Sequence, residues 1–198
     1  DRNSSPRGNC TRLFRAFVAL LFITAADLHG QGGALAHSSA SQTYLLIRAD
    51  DAGMSHSVNM ALERLIKSGL PVSVSIIMPG PWYQETVEIL KKYPNVSVGI
   101  HLALNSEWRN YRWGPVAGRS AVPSLVDAEG YFFASGDALE KNKPSIREVE
   151  MELRAQIERA LRTGLKIDYV DYHMGTALRT PELTGVTVRL ARKFALGM

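Results

Sequence analysis

The sequence predicts an α/β fold made of parallel βα units. Short apolar runs alternate with amphipathic stretches of helical period, glycines and prolines mark the joins, and the runs end in residues suited to metal or proton chemistry. At 198 residues and 21.8 kDa, 45% hydrophobic and 21% charged, the chain has the size and mix of one ordinary domain. Such a length buries a full core without staples, and the lone Cys10 can form no internal disulfide. The formal charge of +4 divides evenly, because residues 1–42 carry four arginines against Asp1 and Asp27, leaving +2 for the other 156 residues. A body so nearly neutral lacks the clustered Lys and Arg that a polyanion needs, which excludes nucleic acid as a partner class.

The elements follow in order. Tyr44-Leu45-Leu46-Ile47 reads as a buried strand with an acidic exit at Asp50-Asp51. Ser57 is placed to cap a helix that runs to Lys67, with Val58, Ala61, Leu62, Leu65 and Ile66 on one face and Gly69 as its left-handed stop. A second strand spans Val72–Met78 and closes at Pro79-Gly80-Pro81. A helix then runs from Trp82 to Lys92, with Pro81 suited to its first turn. The third strand is Val96–Ile100, ending at His101-Leu102. Between Asn105 and Pro144 no period holds, and a loop of that length inside a domain points to function. Ser145 and Glu148 form the pattern of a capping box, followed by an apolar face at Val149, Leu153, Ile157, Ala160 and Leu161 and a stop at Gly164. Ile167–Tyr172 is the fourth strand, leading to His173, and Thr180-Pro181 opens a fourth helix.

Four βα units fit a small doubly wound sheet or half of a barrel. A closed (β/α)8 barrel takes about 250 residues, so the count favours a TIM-like (β/α) barrel truncated at its C-terminus, with the domain at 43–198 and a tail at 1–42. The chain begins at Asp1 rather than Met and stops at Met198 in a segment of helical pattern, so a fragment with an open sheet edge is expected. Residues 7–36 read as a signal peptide. Arg7, Arg12 and Arg15 precede an uncharged apolar run from Ala16 to Ala26, and Ala34-Leu35-Ala36 is a small-residue cleavage pattern before His37. That run is too short to span a bilayer, which implies export without a stable membrane anchor.

In parallel α/β folds ligands bind at the carboxyl ends of the strands. Three of the four exits carry metal-competent side chains: Asp50 and Asp51, His101, and His173. Each alone has a plain structural explanation as a turn, cap or core residue. Together, one carboxylate and two imidazoles hold a divalent ion while leaving positions open for water and substrate. Successive strand side chains alternate in direction, so the pair at 50 and 51 divides into one ligand and one base. The reaction class this describes is metal-assisted hydrolysis. His56, on the turn into the first helix, reads as an exposed polar residue. Trp82, Trp108 and Trp113 offer aromatic faces for a sugar or anchors for the loop.

The segments Leu45–Ser55, Ser73–Trp82, Val98–Leu102 and Asp171–Thr176 together resemble the YdjC-like carbohydrate deacetylase family, over residues 43 to 198. The resemblance implies a TIM-like barrel that removes N-acetyl groups from an acetylated oligosaccharide with magnesium; zinc, manganese and cobalt are the other candidate ions. Position by position it makes Asp51, His101 and His173 the metal ligands and Asp50 the catalytic base. Met174-Gly175-Thr176 stands where many members have further histidines, and the family's histidine proton donor has no counterpart after His173. Two other classes remain: a non-catalytic protein that binds metal and sugar, and a phospho-acceptor signalling domain. The latter needs an aspartate after the third strand, where this chain has His101.

Overall fold

Pro71 decides where the sheet begins. Proline has no N–H to give a ladder, so pairing starts at the next residue, with Val72 opposite Ile47. The computed structural model describes residues 44–198, and the tail at 1–42 with its export reading lies outside the described residues. Strand β1 is Ile47–Ala52, so the apolar run expected as a buried strand is displaced. Leu45 and Leu46 are 84% and 82% exposed, and the strand runs on through the acidic pair instead of ending before it. The remaining elements are α1 (His56–Lys67), β2 (Val72–Ile76), α2 (Tyr83–Leu90), β3 (Ser97–Leu102), α3 (Gly136–Lys141), α4 (Ile146–Leu161), β4 (Tyr169–Tyr172) and α5 (Pro181–Lys193). Short 3-10 turns occupy Pro123–Leu125 and His173–Leu178.

Local chemistry accounts for the helix ends, with two corrections. The cap of α1 is Ser55, whose hydroxyl accepts from Val58 N–H; Ser57 lies inside the helix. The capping box of α4 does not form: Ser145 makes no side-chain cap bond, and the Glu148 carboxylate turns away to accept the amide and hydroxyl of Ser124 in the long loop. Thr180 caps α5 as expected, accepting from Leu183 N–H with Pro181 in the first turn.

The four strands are parallel and ordered β1-β2-β3-β4 without reversal. Register neighbours share a face, and the two faces differ. Ile47, Ala49, Val74, Ile76, Val98, Ile100 and Val170 form the apolar side. Most of these join one core with Leu62 of α1, Val149, Leu153 and Ile157 of α4, and Leu183, Val186 and Leu190 of α5. Burying each of the larger side chains is worth roughly 1.5–3 kcal/mol against leaving it in water. Arg48, Ser73, Ser75, His101, Tyr169 and Asp171 line the opposite, polar face.

The helical pattern at the C-terminal end is corrected as well. Helix α5 ends at Lys193, and Gly197 lies beside β4: its N–H donates to Asp168 O and its carbonyl accepts from Val170 N–H, both at 2.9 Å. The outer edge of β4 is therefore paired at this point rather than open.

Candidate active site

The site begins with a bulge. Ala49 pairs with Val74 and Ala52 with Ile76, so Asp50 and Asp51 together stand opposite the single residue Ser75. Asp51 takes up the extra residue in the left-handed region, at φ 59°, which aspartate and asparagine enter more readily than other side chains. Neighbouring turns hold it there. Gly53 (φ +87°) follows, and a Cβ on Gly80 would meet Gly53 O at 2.5 Å, so the exits of β1 and β2 pack backbone to backbone. The simple alternation expected at residues 50 and 51 is thus broken by a bulge.

The structure brings the predicted ligands together. Asp51 Oδ1 lies 3.0 Å from His173 Nδ1 and 3.4 Å from His101 Nε2. Ligating atoms of Asp51, His101 and His173 all fall within 4.8 Å of one another. Both rings are buried, 4% and 2% exposed, and they meet edge to face at 5.4 Å. The outer nitrogen of each is also held: His101 Nδ1 by Asp171 Oδ1 at 2.7 Å, and His173 Nε2 by Glu107 Oε2 at 2.9 Å. Burial pulls the His101 imidazole down, but its bonds to Asp171 and Asp51 prevail and push it up to about 9. His173 is raised in the same way by Asp51 and Glu107 against burial. Hydrogen bonds from His101 and His173 hold Asp51 well below the usual carboxylate range.

Asp50 sits beside this group. Arg48 Nε and Nη2 grip its two carboxylate oxygens at 2.6 and 3.0 Å, and the same Nε lies 3.0 Å from Asp171 Oδ2 without the alignment of a hydrogen bond. The Asp50 bond in turn holds the Arg48 guanidinium above its ordinary value. A second grouping of Asp50, His101 and Asp171 also has metal-binding spacing. There, however, both Asp50 oxygens are already engaged by the guanidinium, which also pairs with Asp171, and Asp171 Oδ1 accepts from both Ser75 and His101. Of the two, Asp51, His101 and His173 offer the donor set that fits a divalent ion better, a carboxylate with two imidazoles whose far nitrogens are already occupied.

The tryptophans separate. Trp82 and Trp108 are 42% and 53% exposed, and Trp82 meets the His56 ring at a tilt of 43°, centroids 5.3 Å apart. Trp113 is 3% exposed and has no open face for a sugar; its indole donates to Asn105 O, and its ring meets His173 at 5.8 Å. His56 Nδ1–H donates to Glu85 Oε1 at 2.7 Å.

Three residues enter that sequence reasoning did not single out. Asp171 carried a signal, since it stands two residues before His173 and register-pairs with His101. Glu107 and Asn105 carried none, lying where no period holds. Their loop is anchored from α4: buried Glu152 accepts Val116 and Ala117 N–H, and Gln156 clasps both backbone groups of Ala103.

Acidic and imidazole groups gathered at the carboxyl ends of a parallel sheet define a metal-competent acid–base site in an α/β protein. The profile of the YdjC-like protein family matches residues 44–198, and the chain belongs to that family. It is 36% identical to a carbohydrate deacetylase of Thermus thermophilus, over 77% of this chain and 51% of that one. With a carbohydrate deacetylase of Oceanobacillus iheyensis it shares 35%, over 75% and 60%. A solved structure from Enterococcus faecalis, described as a candidate cellobiose-phosphate cleavage protein, superposes with a TM-score of 0.71 at 31% identity, over 79% of this chain and 58% of that one. The chain thus spans about half to three-fifths of these relatives' lengths. Among the described residues no helix is long and apolar enough to cross a membrane.

Proposed function

We propose that residues 43–198 form the catalytic domain of a metal-dependent hydrolase that removes N-acetyl groups from an acetylated oligosaccharide. The single observation carrying this reading is the convergence of Asp51, His101 and His173 on one point with Asp50 held beside them by Arg48. Support for the substrate class comes from the relatives' description as carbohydrate deacetylases. The unreversed strand order supports a barrel segment rather than a doubly wound sheet.

Asp51, His101 and His173 would hold the ion, with Mg2+ the first candidate and Zn2+, Mn2+ or Co2+ as alternatives. Bound there, it would polarise the amide carbonyl and acidify water. The chain's own residues do the rest. Asp50 is the base: Arg48 orients its carboxylate, and each oxygen retains a lone pair beyond the one the guanidinium engages. It accepts a proton from the attacking water as the new C–O bond forms, and returns that proton to nitrogen as the C–N bond breaks, leaving acetate and a free amine. Trp82 and Trp108 present faces to the sugar, while Trp113 backs His173. Export rests on residues 7–36, and mass spectrometry of the secreted N-terminus tests it.

The deciding experiment is acetate release from N-acetylglucosamine oligomers with each of the four ions. Asp50→Asn should keep metal affinity while turnover falls by about 10²–10⁴-fold. Bound metal with no acetate from any acetylated sugar replaces the hydrolase with a non-catalytic metal- and sugar-binding protein.

A further inference from the structure

The two histidines are held alike, by carboxylates from very different places. His101 and Asp171 are register partners on adjacent strands. His173 instead is met by Glu107 from the long connection, a residue no sheet pairing brings there. Glu107 Oε2 accepts from His173 Nε2 at 2.9 Å and from Asn105 Nδ2 at 3.3 Å. Asn105 is in turn fixed by Thr176, whose hydroxyl donates to its Oδ1 at 2.7 Å, and its carbonyl accepts the Trp113 indole at 3.1 Å. Asn105, Thr176 and Trp113 are all buried, so the Glu107 carboxylate is aimed by a rigid set of partners.

We propose that Glu107 is a positioning residue for His173: by accepting Nε2–H it leaves Nδ1 as the ligating nitrogen, whereas Asp171 leaves His101 to ligate through Nε2. This rests on the metal reading above. The physical reason is that a neutral imidazole carries one N–H and one lone pair, and a carboxylate fixed on one side determines which nitrogen has which. The two rings then present different nitrogens to one ion, which follows from their approaching Asp51 from a strand and from a turn. It also ties metal occupancy to the long loop through a single side chain.

Zn2+ alone is the probe, added to the full chain. Imidazole 15N spectra should show His101 bound through Nε2 and His173 through Nδ1, with the His173 Nε2–H retained. Calorimetric Zn2+ affinity should fall about 10–100-fold in Glu107→Ala and recover most of that in Glu107→Gln, whose carboxamide oxygen still accepts the N–H. His173 bound through Nε2 in the unaltered chain overturns the proposal whatever the variants do, as does Glu107→Ala affinity within about twofold of the original. These outcomes are separable from failure of the deacetylase reading, since a chain that binds Zn2+ through the expected nitrogens but releases no acetate loses only that reading.

Discussion

The exit of β1 and the exits of β3 and β4 contribute to one site by opposite means. At β3 and β4 the ladder is regular: His101 faces Asp171 across an unbroken register, and both are buried. At β1 the ladder is broken by the bulge, Asp51 sits at φ 59°, and the Asp51 and Asp50 side chains stay 40% and 37% exposed. The regular half is prearranged by the sheet and shielded from water. The bulged half leaves the ladder and keeps its carboxylates accessible, which a group that must exchange protons or meet substrate requires. The ladder itself is interrupted on the β1 side only, while His173 follows the end of β4 at the start of a turn.

Asp51→Asn should produce the largest effect. Asparagine tolerates the left-handed region, so far-UV circular dichroism should be unchanged while Zn2+ affinity falls by on the order of 100-fold or more. Asp51→Ala should lose the metal equally and unfold more readily by a further ~1–2 kcal/mol, the cost of that backbone region for an ordinary side chain. Equal stability of the two variants would mean that residue 51 can leave the left-handed region without cost.

Gly80→Ala tests the support beneath the bulge. Its Cβ would lie 2.5 Å from Gly53 O, so the two exits must separate, and denaturant unfolding should show a loss of about 1–3 kcal/mol. A variant as stable as the parent would show that the packing of these turns is soft.

The last test is of pH. His101 rises from an ordinary 6.5 to about 9, so its pairing with Asp171 and Asp51 stabilises the metal-free chain fully below pH 6.5 and fades as pH climbs through 9. Its thermal midpoint should drop by a few degrees across that window. Zn2+ affinity should climb over the same window, because each imidazole must shed its proton to ligate. Parallel slopes would place the raised imidazole outside the ligand set.

Much of the frame was legible in order along the chain. The alternation of apolar runs and amphipathic stretches, Thr180-Pro181 before α5, and glycine stops at Gly69 and Gly164 (both φ +79°) depend on neighbours within a few residues, and the structure keeps them. The histidines and the acidic pair were legible too, because a strand's end is marked by its own residues. Where local signals misled, a distant partner had intervened. Glu148 left its capping box for Ser124, Pro71 moved the start of β1 past Leu45 and Leu46, and Gly197 settled beside β4 where helical pattern had been read.

By itself, then, the sequence determined the α/β class, the order of its units and which strand ends bear the acids and histidines that converge. The tertiary structure alone decided the bulge that aims Asp51, the closed position of Trp113, and the carboxylate that meets each histidine. The physical reason is separation: His101 and Asp171 lie 70 residues apart, His173 and Glu107 66, and His173 and Asp51 122. Period and capping act over a turn or two of chain, whereas a hydrogen bond across such distances exists only once the sheet has set the register and the loop has folded against it.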